Sequence, residues 1–175
     1  MPQYRRVRIN GSTFFFTIVL ADRSSNLLVE EVERLRRVYR LVQERRPFET
    51  VATCVLPDHV HAIWTLPEND SDFSVRWSLI KSGFSRGLDA LPRSGSKLAK
   101  REKGVWQRRY WEHVIRDDAD PERHIDYIYF NPVKHGHVNR VSQWPYSSFH
   151  RYVERGLLVA DWGGDVRDIE GAFGE

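Results

Sequence analysis

The order in which strand-like and helix-like segments follow one another constrains the fold of this chain more than any other feature. Ser12 to Leu20 is rich in aromatic and β-branched residues, as a central strand is. Leu28 to Arg46 has apolar side chains at helical spacing. Phe48 to Leu56 and His59 to Leu66 then predict two strands joined by a short turn. The first half of the chain is therefore predicted to be a strand, a helix and a hairpin.

The second half continues with a helix, a strand and another helix. We predict a helix from Ser74 to Leu91, a mobile basic loop from Arg93 to Gly104 and a strand or an extended segment from Val105 to Arg116. The last helix, Asp120 to Gly136, has a capping residue at each end, but Pro132 inside it predicts a kink or an early end. This order predicts an α+β fold, a ferredoxin-like antiparallel sheet with helices packed on it.

Composition and length exclude several classes of protein. The 175 residues are enough for one domain, and the 41% hydrophobic and 13% aromatic content excludes a disordered chain. No apolar run reaches the roughly 18 residues of a membrane span, so no membrane partner is expected. Cys54 is the only cysteine, which excludes an internal disulfide. With no segment that resembles a secretion signal, a cytoplasmic location is expected.

Charge divides the chain into a basic body and an acidic end. From Asp161 onward there are five acidic residues and one basic residue, so the first 160 residues hold a net charge of +7 although the whole chain has +3. We therefore predict a single domain over residues 1–160 and an acidic tail over residues 161–175. A basic body with many aromatic residues fits a nucleic-acid surface, and an ordinary solvated surface fits the charge equally well.

Two histidines separated by one residue suggest a metal site. On a strand, His59 and His61 face the same side, with Cα atoms roughly 7 Å apart, and both can reach one metal ion. Val60, Ala62 and Trp64 form the opposite, apolar face. Packed histidines give the same pattern, so the spacing alone leaves both interpretations open. Further candidate ligands are Cys54, Asp58, Glu112, His113, His124, Asp126, Asn131, His135 and His137.

The predicted last helix carries a candidate nucleophile. Tyr127 and Asn131 are four residues apart and share a helix face, with His124 one turn earlier. A tyrosine exposed on such a polar face can attack a phosphodiester. The alternative is an ordinary tyrosine whose hydroxyl makes one hydrogen bond.

Basic and aromatic residues alternate in two places. Between Trp106 and Trp111 they form WQRRYW, and a smaller patch lies near the N-terminus. Guanidinium groups pair with phosphates and rings stack on bases, so the pattern fits single-stranded nucleic acid, while a strand with one packed aromatic face fits it as well. The candidate DNA-binding residues are Arg5, Arg6, Arg8, Trp106, Arg108, Arg109, Tyr110 and Trp111.

Four segments together resemble a known family. They are LPDHVHAIWTLP, WSLIKSGFSRGL, WQRRYWEHVIRDDADPERHIDYIYFNPVKHG and WPYSSFHRYV. In order and spacing they resemble the REP-associated tyrosine transposases, where REP stands for repetitive extragenic palindromic. That family belongs to the single-tyrosine HUH transposase superfamily. The resemblance extends from about Tyr4 to Gly164.

The resemblance implies a specific chemistry. His59 and His61 would bind Mg²⁺ or Mn²⁺, with Asn131 as a third ligand, and Tyr127 would be the nucleophile. The family cleaves and rejoins single-stranded DNA at REP hairpins through a 5′-phosphotyrosine, so the expected partner is hairpin DNA on the bacterial nucleoid. Family members often have His where this chain has Tyr129, which leaves Tyr129 as a second candidate nucleophile. The oligomeric state, monomer or dimer, stays open.

Two other functions fit parts of the pattern. A metal-dependent nuclease could use water in place of the tyrosine. A nucleic-acid-binding module with an RRM-like sheet would need no catalysis, but the stacking signature of true RRM domains is absent from the sequence.

Overall fold

A computed structural model describes residues 8–91, 94–116 and 120–163 of the chain. Its strands are β1 (Thr13–Val19), β2 (Glu49–Val55), β3 (His59–Thr65) and β4 (Trp111–Val114). Its helices are α1 (Leu27–Glu30), α2 (Val32–Arg45), α3 (Phe73–Ser85), α4 (Gly95–Ala99), α5 (Asp120–Lys134) and α6 (Phe149–Glu154), with a 3₁₀ turn at Val141–Gln143. None of these described helices is long and apolar enough to cross a membrane.

The four strands form one antiparallel sheet in the order β2-β3-β1-β4. This order, with its two strand–helix–strand connections, is the ferredoxin-like arrangement, so the predicted α+β fold is confirmed. The two longest pairings join β3 to both of its neighbours: His61 lies opposite Thr17 on β1 and opposite Cys54 on β2. The centre of the sheet is therefore β3 and β1.

Both faces of the sheet are covered. On one face, side chains such as Phe16 and Trp64 pack with the helices α2 and α3. On the other face, Phe15 and Ile63 pack with α5 and α6. Because side chains alternate along a strand, neighbouring residues of β1 and β3 belong to two different cores. Trp162 joins the second core, so the packed domain extends past residue 160 into the predicted acidic tail. Residues 164–175 of that tail lie outside the described residues.

Several predicted boundaries are wrong. The helix predicted from Leu28 to Arg46 is two helices that meet at Glu31, whose backbone has φ −107° and ψ 27°. The N–H of Leu28 donates to the Pro57 carbonyl at 3.1 Å, which docks α1 on the β2–β3 turn. The helix α3 ends at Ser85, before the predicted Leu91, and the segment predicted as a basic loop contains α4.

The end of α5 follows the prediction only in part. The helix continues through Pro132 to Lys134, so it does not end early. Gly136 has a left-handed φ of 71°, and the N–H of His137 donates to the Pro132 carbonyl at 2.9 Å. This is the geometry of a glycine C-cap, which confirms the predicted role of Gly136. Pro132 has no N–H, so the helix forgoes one backbone hydrogen bond, to the carbonyl of Ile128, at this position.

Of the segment from Val105 to Arg116, predicted as a strand or an extended segment, only β4 is a strand. Trp106 pairs with Leu20 in a single bridge, and β4 pairs Trp111 with Thr17. From Thr17 to Leu20 on β1 the chain advances three positions. On the partner segment, from Trp106 to Trp111, it advances five. Two extra residues must therefore bulge out of the edge strand between Gln107 and Trp111.

Candidate active site

The strand β3 places His59 and His61 on the face that α5 covers. Their rings lie edge to face with centroids 4.7 Å apart. His59 is 1% exposed and His61 is 0% exposed, so both rings of the predicted metal site are buried. The alternation itself is confirmed, because Val60 and Ala62 point into the opposite core. We refer to His59 and His61 as the histidine pair.

A carboxylate orients the first histidine. Nδ1 of His59 lies 2.8 Å from Oδ1 of Asp58, and Oδ2 of Asp58 lies 2.6 Å from Nε of Arg23. Burial alone would raise the pKa of Asp58, but the hydrogen bond from His59 and the charges of His59 and Arg23 together lower it. An ionised carboxylate only accepts, so the His59 proton lies on Nδ1. Nε2 of His59 is buried and has no hydrogen-bond partner among the described residues.

A hydroxyl orients the second histidine. Nδ1 of His61 lies 3.0 Å from Oγ1 of Thr17, its register partner on β1. Histidines that bind metals usually have their other ring nitrogen held in this way by an oxygen. In both rings, Nε2 is therefore the atom that would bind a metal ion.

The helix α5 runs along the histidine pair and brings a tyrosine against it. The ring centroid of Tyr127 lies 5.2 Å from that of His61, and the ring of His135, just beyond the helix, lies 5.5 Å from that of His59. Asn131 is four residues from each of Tyr127 and His135 and is fully buried. The helix therefore places Asn131 on the stretch that faces the two histidines.

Tyr127 is buried, which corrects the expectation of an exposed tyrosine. Only 1% of its surface is exposed, and its ring packs on Phe15 and His61 of the sheet, at 6.2 and 5.2 Å between centroids. The ammonium group of Lys134 lies 4.9 Å from the centroid of the Tyr127 ring. A positive charge is thus fixed against the tyrosine that faces the histidine pair.

Tyr129 points into a different environment. Its ring packs against Phe149 and Trp162 at centroid distances of 5.7 and 6.1 Å, and its hydroxyl lies 3.2 Å from Oγ of Ser148. Burial raises the pKa of Tyr129 to about 12. Tyr129 is therefore a core residue, and Tyr127 is the tyrosine next to the histidines.

The structure separates the candidate DNA-binding residues into two groups. Trp106 is buried, packs on Phe84, and donates from its indole to the Lys81 carbonyl and to Oγ of Ser85, both at 3.1 Å. The prediction that Trp106 stacks on bases is therefore corrected. Exposed or half-buried positions are Arg8, Arg108, Arg109, Tyr110 and Trp111, while Arg5 and Arg6 lie outside the described residues.

A groove with a volume of about 630 Å³ lies between α3 and residues 100–110. Four serines line its α3 side, and one acidic residue, Glu102, pairs with Arg108 at 3.0 Å. Six basic residues line it: Lys81, Arg86, Lys100, Arg101, Lys103 and Arg108. We refer to this feature as the basic groove.

A second group of metal-binding residue types lies where β4 meets α5. His113, Asp120 and His124 each offer a ligand atom, and these atoms all lie within 4.8 Å of one another, so the group could hold a metal ion. Burial lowers the pKa of His124, although Asp120 opposes this. For Asp120, burial alone would raise the pKa, but the hydrogen bond from His113 and the two histidine charges together lower it. We refer to these three residues as the His-Asp-His cluster.

Sequence reasoning missed several contacts of these sites. Thr17, Lys134 and Asp120 were not recognised as neighbours of the candidate ligands. Asp58 precedes His59 directly, and this adjacency is a signal that could have identified it as a carboxylate that orients the ring.

Comparison with known proteins identifies the family. No protein-family model matches the chain. A REP-associated tyrosine transposase of Escherichia coli K12 is 49% identical over 169 residues, which cover 97% of this chain and 95% of that protein. A Haemophilus influenzae protein is 49% identical over 167 residues, which cover 94% of this chain and 95% of that protein. Its name as a REP-associated tyrosine transposase is provisional. The chain belongs to the REP-associated tyrosine transposases. The predicted family and the predicted class of enzyme are both confirmed.

A solved structure agrees with this assignment. A REP-associated tyrosine transposase bound to a REP hairpin matches the chain with a TM-score of 0.87 and 48% sequence identity. The match covers 100% of this chain and 98% of that one. The ferredoxin-like sheet and the helices packed on it are therefore those of a REP-associated tyrosine transposase.

Proposed function

We propose that this chain cleaves and rejoins single-stranded DNA at REP-type hairpins, on the nucleoid in the cytoplasm, with Tyr127 as the nucleophile. The observation that carries the proposal is the contact of the Tyr127 ring with His61, at 5.2 Å between centroids. The hairpin bound to the similar solved structure supports this class of substrate.

The residues around Tyr127 fit a divalent cation. Both histidines are held at Nδ1 by an oxygen, and the buried Nε2 of His59 lacks a hydrogen-bond partner among the described residues. Asn131 adds an amide oxygen, the type of ligand that Mg²⁺ and Mn²⁺ prefer, and two imidazoles favour Mn²⁺ of these two. When bound, such an ion would polarise the scissile phosphate and offset its developing charge. We therefore propose His59, His61 and Asn131 as the ligands.

The proposed reaction is a transesterification. A bond forms between Oη of Tyr127 and phosphorus, and the bond from phosphorus to O3′ breaks. The phenol proton is lost to solvent and the departing 3′ oxygen takes up a proton, so the products are a 5′-phosphotyrosine and a 3′-hydroxyl. The Lys134 ammonium beside the Tyr127 ring favours the approach of the anionic phosphate. Attack by a 3′-hydroxyl on the phosphotyrosine reverses the step, and rejoining needs no ATP.

The burial of the site constrains how DNA enters. Tyr127 is 1% exposed, whereas His135 at the end of α5 is exposed. A phosphate reaches Tyr127 only after contacts between β3 and α5 open. We propose that hairpin binding includes this opening, starting at the end of α5.

The basic groove offers a path for the strand. Gln107, which lines the groove, donates to the carbonyl of Val19 at 3.0 Å, and Val19 is the register partner of His59. The groove lies on the α3 face of the sheet, opposite the histidine pair, and this backbone hydrogen bond brings it to the end of β1 that pairs with His59. Its basic residues, together with the bulged segment Arg108–Tyr110, would pair with phosphates and stack on bases. Each phosphate contact releases counterions, so affinity should fall steeply with added salt.

The test is adduct formation on a single-stranded REP-type hairpin with Mn²⁺, measured on denaturing gels. We expect a covalent protein–DNA adduct with the unaltered chain and with Tyr129→Phe, and none with Tyr127→Phe. A blunt duplex of the same sequence should give little adduct. Cleavage by Tyr127→Phe at the normal rate would instead indicate a nuclease that uses water, and hairpin binding without cleavage by any variant would indicate a binding module.

A further inference from the structure

We propose that the His-Asp-His cluster is a second metal site, distinct from the histidine pair and suited to Zn²⁺ or a similar transition metal. The cluster joins the end of β4, through His113, to the first two turns of α5, through Asp120 and His124. The inference goes beyond the proposed cleavage reaction and does not depend on it.

The three ligand atoms lie close together, all within 4.8 Å of one another. Nε2 of His113 lies 3.0 Å from Oδ2 of Asp120, and Nδ1 of His124 lies 3.0 Å from Oδ1 of the same carboxylate and 2.7 Å from the backbone carbonyl oxygen of Asp120. The two imidazoles are nearly parallel, at 14°, with centroids 5.1 Å apart. In a tetrahedral Zn²⁺ site with bonds of about 2.0–2.1 Å, ligand atoms lie roughly 3.3 Å apart. Small side-chain rotations would therefore bring the three atoms to coordination distance. A bound ion would replace the hydrogen bond between His113 and the carboxylate and that between His124 and the Asp120 carbonyl.

The chemistry of the cluster selects the class of metal. Two imidazoles and one carboxylate suit Zn²⁺ and its transition-metal neighbours, whereas Mg²⁺ prefers oxygen ligands and retains its water. The side chain of His113 is 41% exposed, which gives an ion a route from solvent. The side chains of His124 and Asp120 are only 9% and 15% exposed, so the inner side of the site is buried. A water molecule would complete a four-coordinate sphere.

The two sites are separate places on the sheet. On the sheet, His61 lies opposite Thr17 and His113 lies opposite Phe15, with β1 between β3 and β4. Two strand spacings and two residues along the strand put their Cα atoms roughly 12 Å apart. The ring of Phe15 contacts both sites, at 5.6 Å from His61 and 4.8 Å from His124 between centroids.

The site would fix the start of the helix that carries Tyr127. His124 lies one turn before Tyr127, and β4 belongs to the same sheet as the histidine pair. A bound ion would hold this turn of α5 against the sheet at a fixed position. The role of the second ion is therefore positional, and it should also raise thermal stability, because it binds only the folded chain.

The experiment is a titration of the full chain with Co²⁺ alone, followed by its visible absorption, which reports coordination by nitrogen ligands. We expect two Co²⁺ per chain for the unaltered protein and one for Asp120→Asn, a substitution that keeps the side-chain volume. The double variant His59→Ala/His61→Ala should also retain one ion. Excess Mg²⁺ should not displace the Co²⁺ that this double variant retains.

A second measurement keeps the test decisive if the double variant folds poorly. Zn²⁺ should raise the thermal unfolding midpoint of the unaltered chain, and the rise should be smaller for Asp120→Asn and for His113→Ala. The proposal is overturned if Asp120→Asn binds as much Co²⁺ as the unaltered chain. It is also overturned if Zn²⁺ stabilises Asp120→Asn and His113→Ala as much as it stabilises the unaltered chain.

Discussion

The two faces of β1 and β3 are equally buried but are built from different chemistry. On one face, Trp64 stacks on Trp77 at 4.1 Å between centroids, and its indole donates to the Tyr39 hydroxyl at 2.6 Å. On the other face, alternate residues of the same strands place His59 and His61 in a site with almost no solvent exposure. Exposure alone does not distinguish a core from an active site here.

What distinguishes the two faces is the kind of polar atom that they bury. On the apolar face the buried polar atoms include indole N–H groups, which can only donate: that of Trp64 has its partner, and that of Trp77 has none among the described residues. On the polar face, Nε2 of His59 is buried with no hydrogen-bond partner among the described residues. Burying a polar atom without a partner costs free energy, and nothing in packing alone requires histidines there. The apolar face therefore carries stability, and the polar face carries the proposed chemistry.

The largest effect should follow from a change on the polar face. His61→Gln keeps a polar side chain of similar size but removes a proposed ligand. We expect DNA cleavage with Mn²⁺ to fall by roughly 10³-fold or more, because a metal contributes several kcal/mol to transition-state stabilisation. Single-turnover cleavage of hairpin DNA measures this. A rate within tenfold of the unaltered chain would break the distinction between the faces.

A change on the apolar face should lower stability and leave DNA cleavage unchanged. Trp64→Ala removes a ring that contacts Trp77 and Phe48, each at 4.1 Å between centroids. The free energy of unfolding should fall by about 3–5 kcal/mol. Urea unfolding gives this value, and cleavage per folded molecule, measured at low temperature, should be unchanged. If a folded Trp64→Ala variant lost cleavage, the two faces would be coupled.

The carboxylate beside the histidine pair should have an intermediate effect. Asp58→Asn weakens the contact that orients His59 and removes a charge near the site. Mn²⁺ affinity should fall about 10–100-fold, as is usual when a residue that orients a metal ligand is changed. Isothermal titration with Mn²⁺ measures it. Asp70→Asn, which lies beside the apolar core, is the matched control and should leave the affinity unchanged.

The smallest effect concerns stability near the apolar face. The hydrogen bond from Arg76 lowers the pKa of Asp70, with burial opposing it, and the Arg76 side chain is 2% exposed. Asp70→Asn should cost about 1–2 kcal/mol at neutral pH. Because the pKa is lowered in the folded chain, the contribution of Asp70 is present above about pH 4 and is lost as the pH falls through the folded pKa. The free energies of unfolding of the unaltered chain and of Asp70→Asn should therefore converge as the pH is lowered from 7 to 2. An unchanged difference at pH 2 would show that the ionised carboxylate of Asp70 is not its cause.

The sequence predicts local patterns well because each pattern is a property of a few neighbouring residues. The strand from His59 ends within one residue of its predicted end, since alternation is visible along the strand itself. For the segment after Val105, the sequence left a strand and an extended segment open, because the path of this segment depends on distant contacts. Trp106 is held by α3, and this contact forces the two-residue bulge before β4.

In the candidate site, too, the sequence predicts what depends on neighbouring residues and misses what depends on distant contacts. The shared face of His59 and His61 follows from spacing alone, but the burial of that face depends on where α5 crosses the sheet. Asp120 was predicted as a helix cap, and only the folded chain brings it to 3.0 Å from a histidine of β4. Contacts between elements far apart in sequence leave no local pattern, so sequence reasoning could not find them.

The most direct measurement is to map the residue that becomes linked to DNA. After reaction with a single-stranded REP-type hairpin, trypsin should release the peptide from His124 to Lys134, which contains both Tyr127 and Tyr129. Fragmentation in a mass spectrometer distinguishes the two positions. We predict a nucleotide attached to Tyr127 through a phosphodiester. A nucleotide on Tyr129, or cleaved DNA with no linked peptide, would contradict the assignment of Tyr127 as the nucleophile beside the histidine pair.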